Sequence, residues 1–185
     1  MKALIETGAD VLEWRAAKPP ESAFELTSGE GLHATLSWSE PDTLARVETP
    51  EGSWTCMRLG VLAKHITLRE EGSHSNLAEF HPHTFGKGKL VFRDGATFAC
   101  SHLPHGQGWA FLDVEGKELV RIQPWPESRG HIPEPGMVVG RVLLEGKGLV
   151  RWRHAFLASL GWYIHLLAKH DLNIDETALV GSDLI

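Results

Sequence analysis

The chain has 185 residues, 42% hydrophobic and 23% charged, enough for one globular domain with a sizeable core. Its 18 basic and 24 acidic residues give a formal net charge of −6 and a pI near 6.0, which argues against a nucleic-acid binder, since such proteins rely on clustered Lys and Arg. Cys56 and Cys100 make at most one disulfide, too few for a stapled secreted scaffold, and both are expected as buried free thiols.

Taken from the start, Glu6 and Asp10 stand where a secretory segment has to be apolar, so no signal peptide is read and a cytoplasmic location is expected. From about residue 20 to 153 the chain reads as strand. Turn signals recur at Gly29-Glu-Gly31, Glu51-Gly52, Glu71-Gly72, Asp94-Gly95, Glu115-Gly116 and Glu145-Gly-Lys-Gly148. Measured between Gly31, Gly52, Gly72, Gly95, Gly116 and Gly146, the intervals are 21, 20, 23, 21 and 30 residues. Each is close to two strands plus two turns, so six hairpins predict about twelve antiparallel strands. The last interval is longer because residues 124–136 contain four prolines and cannot continue a ladder. This segment is expected as a surface loop, with Trp125 as its candidate partner contact.

Residues 155–168 then form a nearly unbroken apolar block. Its Leu and Ala content and the following Lys169 and His170 predict a helix over about 154–169. Its polar members, Ser159 and His165, lie roughly 120° apart on a helical wheel, so no solvent-facing stripe exists and burial on all sides is expected. At about 1.5 Å per residue the block spans roughly 21 Å, short of a bilayer crossing, so no transmembrane segment is predicted. Gly161 inside it predicts a close backbone approach from whatever surrounds the helix. In the acidic tail, 171–185, Asn173 with Glu176 three residues later predicts the cap of a last short helix. Twelve strands in an open sheet would leave two edges, whereas closure removes them and makes an interior for the helix. A mainly β fold follows, a closed barrel of about twelve strands around a central hydrophobic helix, in a single domain over 1–185.

Phe111-Leu-Asp-Val-Glu-Gly-Lys-Glu-Leu-Val, Val91-Phe-Arg-Asp-Gly and the block at 155–168 give the chain a layout that resembles the tubby C-terminal-like superfamily over roughly residues 20–170. That superfamily includes tubby domains, plant LURP-one-related proteins and phospholipid scramblases. The resemblance implies a twelve-stranded barrel threaded by a hydrophobic helix. It also implies a basic site for a phosphoinositide headgroup on the barrel exterior. The palmitoylated Cys-rich segment and calcium site of scramblases have no counterpart here.

Candidate headgroup ligands are Arg58, Lys64, Arg69, Arg93, Arg151 and Arg153, on or beside predicted strands, with Arg151 and Arg153 sharing a strand face opposite Val150 and Trp152. A competing chemistry is metal binding by His81, His83, Cys100 and His102, with His105 nearby, because i and i+2 on a strand share a face and thiolate and imidazole suit zinc. The glutamate expected after a cupin-like His-x-His is replaced by Thr-Phe-Gly-Lys-Gly. Gly86-Lys-Gly88-Lys89 is the nearest approach to a phosphate loop, but it lies between strands and reads as a hairpin connection. Hydrolase elbow, Walker loop, complete dinucleotide fingerprint and His-Glu-x-x-His patterns are absent from the sequence. The expected function is therefore a non-enzymatic module that binds a lipid headgroup, a small ligand or a protein partner on its outer surface, without a cofactor. A metal-dependent enzyme built on the His/Cys cluster is the alternative.

Overall fold

Apolar residues alternate with polar ones along one strand after another, as in Leu12, Trp14 and Ala16 or Leu90 and Phe92, and in the structure these residues point inward and are buried. The structure is a computed structural model that describes residues 1, 11–17, 22–29, 31–39, 43–60, 65–83, 87–104, 107–125, 133–145 and 151–180. Within the last segment the described side chains are those of 153–171.

Twelve strands run in chain order as β1 (Val11–Ala16), β2 (Ser22–Ser28), β3 (Gly31–Ser39), β4 (Leu44–Thr49), β5 (Gly52–Leu59) and β6 (His65–Glu70). They continue as β7 (Asn76–Pro82), β8 (Lys87–Phe92), β9 (Thr97–His102), β10 (Trp109–Leu112), β11 (Glu118–Pro124) and β12 (Val138–Leu144), followed by α1 (Arg151–Val180). Every strand pairs antiparallel with its sequence neighbours, and β1 pairs with β12, so the sheet closes as an up-and-down barrel. No edge is left unpaired.

The predicted turns sit together at one end of the barrel, the turn end. Gly95 and Gly116 take φ of 88° and 80° there, a region that side chains with a Cβ avoid. The signals at 29–31, 51–52, 71–72, 94–95 and 115–116 join β2 to β3, β4 to β5, β6 to β7, β8 to β9 and β10 to β11. The structure therefore has five such hairpins and not six, because the last signal follows β12 and leads toward α1. Residues 146–150 lie outside the described residues. The twelfth strand is supplied at the other side, where β1 begins at Val11, ahead of the predicted start near residue 20.

α1 enters at the turn end and leaves at the opposite end, the mouth. Its residues Ala155 to Trp162 are almost wholly shielded from solvent, and so are Tyr163, Ile164 and Leu167. Wall aromatics receive its large side chains: Trp54 and Phe92 lie 5.2 and 5.0 Å from Phe156, and Trp14 stacks on Trp162 at 5.5 Å. The close approach at Gly161 is made by side chains and not by backbone, since a Cβ there would meet Ile122 Cδ1 at 2.5 Å. Gly140 on β12 likewise leaves room for the Trp162 ring, 2.7 Å from where its Cβ would stand. Two ion pairs hold the ends of the plug: Arg153 with Asp94 at the turn end, and Asp171 with Arg58 at the mouth, 2.6 Å apart. From Arg153 to Asp171, 18 residue steps carry the helix about 27 Å along the barrel axis.

The helix is longer than the predicted 154–169 and runs unbroken through Asn173 and Glu176, so no separate capped helix forms. No Gly or Pro occurs between Trp162 and Val180 to stop it. Among the described residues, no helix is long and apolar enough to cross a membrane.

Candidate functional site

Among the described residues, the cations read from the sequence are not gathered into one site. Arg58 and Arg153 stand at opposite ends of the barrel, with side chains 18% and 12% exposed, each engaged by a carboxylate that ties α1 to the wall. Arg153 also lies over the rings of Phe92 and Phe98, at 4.8 and 5.7 Å from their centroids. Arg151 and Arg153 belong to the helix, not to a strand, so they do not share a face two residues apart, and the Arg151 side chain lies outside the described residues. Lys64 also lies outside them. Arg69 and Arg93 donate to neighbouring residues at the start of β7, the first to Asn76 Oδ1 at 3.2 Å and the second to Ser75 Oγ at 2.6 Å. Both are exposed at the turn end.

The metal alternative is taken apart by strand alternation. Cys100 faces the interior with 2% exposure, and burial pushes its thiol up to about 12, far from the thiolate a zinc ion needs. His81 follows the buried Phe80 and points out of the barrel, where its ring stacks on His65 at 6.1 Å and approaches Glu79 at 3.5 Å. His83 is exposed at the mouth, and His102 sits there edge-on to Trp109 at 4.7 Å. His105 lies outside the described residues. Among the described residues no three His, Cys, Asp or Glu side chains come together to hold a metal ion.

Two hollows meet at a corner the sequence reading passed over. Outside the barrel, a furrow of about 620 Å³ runs along β8, β9 and β10. Its shape follows from the register, in which Lys89 stands opposite Ala99 and Ala99 opposite Leu112, while Lys87 stands opposite Ser101 and Ser101 opposite Ala110. Small residues on the middle strand make the floor, and the two exposed lysines make one bank. Gly88 separates them because its inward position is taken by Phe80, whose Cζ lies 2.2 Å from where a Cβ would be. Asp113 on the other bank is committed to the β10–β11 turn, its Oδ1 accepting the N–H groups of Glu115 and Lys117, both at 2.9 Å. Among the described residues neither Lys87 nor Lys89 has an ion-pair partner. Of Gly86-Lys-Gly88-Lys89, the described residues Lys87 to Lys89 are thus the start of a strand, with the lysines turned outward two residues apart. That alternation was the available signal.

The second hollow is a cleft of about 210 Å³ at the mouth, between α1 and the wall. Ile66, Phe80, Ile164 and Leu167 line its depth, and Arg58, Asp171, His83 and Lys87 its rim. Lys87 and His83 border both hollows.

A nucleophile stands beside a base where Ser28 Oγ lies 2.8 Å from His33 Nε2. His33 is fully buried, and the surface groove along β1 and β2 is lined by Ser28 but not by His33. That pair braces the β2–β3 hairpin and offers no room for a carbonyl beside the imidazole. The arrangement that faces solvent is one of fixed positive charge next to apolar surface, suited to holding an anion.

Comparison with protein-family models, with curated proteins and with solved structures found no match.

Proposed function

We propose that this chain is a non-enzymatic binding module of the tubby-like kind, which takes the anionic headgroup of a lipid on the outer furrow formed by β8, β9 and β10. The observation that carries the reading is the pair Lys87 and Lys89, both exposed and without a carboxylate partner among the described residues, beside a floor of small side chains. The barrel's inside is occupied by its own helix, which directs a ligand to the exterior. Val114, 83% exposed at the end of the same furrow, adds an apolar contact suited to the interfacial zone of a bilayer. The layout of twelve strands around one helix is also the layout that the tubby-like resemblance implies.

An ammonium near an anionic membrane surface contributes on the order of 1 kcal/mol, screened by salt. Sedimentation with vesicles containing 20–30% (roughly) anionic lipid at low ionic strength should therefore retain the protein and release it as salt rises. The double variant Lys87→Gln, Lys89→Gln should weaken retention by roughly thirtyfold. Retention equal to that of the parent chain, or none by the parent at low salt, removes the lipid reading.

A further inference from the structure

We propose that the cleft at the mouth of the barrel binds a small amphiphilic carboxylate, with its alkyl tail between α1 and β6–β7 and its carboxylate at Lys87. This rests on the reading of Lys87 as an anion-facing group. The interior of the barrel holds the helix. It is filled along most of its length, but at the mouth α1 presents Ala168, an exposed residue with a side chain too small to reach the wall. The cleft that results holds about 210 Å³, room for roughly seven groups of water size at about 30 Å³ each.

Its depth is apolar, formed by Ile66 and Phe80 on the wall and Ile164 and Leu167 on the helix. A saturated tail of roughly six to eight carbons fits that volume at one methylene per water-sized group. The rim supplies the charge preference. Asp171 is held by Arg58, whose Nη1 donates to Oδ1 at 2.6 Å and to Oδ2 at 2.8 Å. Lys87, at the border of cleft and furrow, has no such partner among the described residues. A carboxylate entering tail first meets an ammonium there; an alkylammonium of the same length meets a like charge.

The test is an NMR titration of the full chain with sodium octanoate, read at the methyl resonances of Ile66 and Ile164, with octylammonium as the probe of matched tail. Octanoate should shift both methyls and bind at least about tenfold more tightly than octylammonium. Lys87→Gln should weaken octanoate about three- to tenfold, the range for a hydrogen bond to a charged, partly exposed group. Ala168→Trp should abolish the shifts by filling the cleft; because Ala168 is exposed, the variant keeps its fold and its melting midpoint. Octanoate that moves neither methyl, equal binding of octylammonium, or an Ala168→Trp chain that binds as tightly as its parent overturns the proposal. Lys89 lines the furrow and not the cleft. Vesicle retention lost in Lys89→Gln but kept in Ala168→Trp therefore separates the fate of the furrow from that of the cleft.

Discussion

His165 is the side chain whose chemistry the barrel alters most usefully for measurement. It sits on α1 with its ring 5.2 Å from Trp162, and burial first, then the charge of Lys169, lower its pKa to about 4. In the unfolded chain an imidazole takes up a proton near pH 6.5. Between that pH and about 4 the unfolded state binds a proton that the folded state refuses, so stability falls as pH falls through this window. The slope reaches at most about 1.4 kcal/mol per pH unit, and above pH 6.5 this residue adds no pH dependence. Urea midpoints of His165→Leu at pH 7.5 and pH 5 should differ by clearly less than those of the parent; an identical acid loss would show that the imidazole is not kept neutral by the core. Tyr163 is pushed the other way, above the usual phenol range, chiefly by burial, and its hydroxyl donates to the carbonyl of Thr43 at 2.5 Å. Thr43 holds a φ of 48°, an unusual conformation for a β-branched residue, so that hydrogen bond pins a strained corner between β3 and β4 to the helix.

Between helix and wall, the decisive fit is Gly161 against β11. Alanine in a helix interior is worth about 1 kcal/mol over glycine, so propensity alone predicts that Gly161→Ala stabilises. Here the new Cβ would stand 2.5 Å from Cδ1 and 2.8 Å from Cγ1 of Ile122, itself fully buried and unable to give way. Overpacking of this kind costs about 1–3 kcal/mol, so the net change should be a loss of stability, visible as a lower denaturant midpoint. Ile122→Val removes the nearer atom. The double variant should recover part of the loss, and strictly additive midpoints would show that the two side chains do not compete. The sequence announced the glycine and the closeness, because a helix-breaking residue inside an apolar block has few other uses. It could not say that a branched side chain does the approaching, since that depends on which residue of β11 faces inward at that height. The same limit explains the binding corner. Lys87 and Lys89 stand two residues apart in sequence, but the floor they border comes from Ala99 and Ser101 on the next strand, and only register brings them together.

For the molecule as a whole, the acidic-Gly turns were legible because glycine at positive φ has a chemical signature, and the helix because its apolar run is too long and too Leu-rich for a strand. At the mouth Gly60, Gly108 and Gly136 also take positive φ, but without the evenly spaced acidic-Gly pairs of the turn end, and β1 escapes the count because the five turns count pairs of strands, while the pair that closes the barrel, β12 with β1, has no turn between its members. Closure makes the helix part of the core and not a lid on it, which sets the last expectation. Leu160 is fully buried inside the barrel. An aspartate there would have to ionise without water or take a proton without a partner, a cost of more than about 4 kcal/mol against a typical total stability of about 5–15. Leu160→Asp should therefore lose the cooperative thermal transition seen by near-ultraviolet circular dichroism, to which Trp14, Trp54 and Trp162 contribute through their contacts with or on α1. Ala168→Ser, two turns further on but exposed at the mouth, should leave the midpoint within about 0.5 kcal/mol of the parent. If instead Leu160→Asp melted cooperatively at the parent's temperature, the wall would have to be stable without its plug, and the twelve-stranded barrel would stand as a hollow shell.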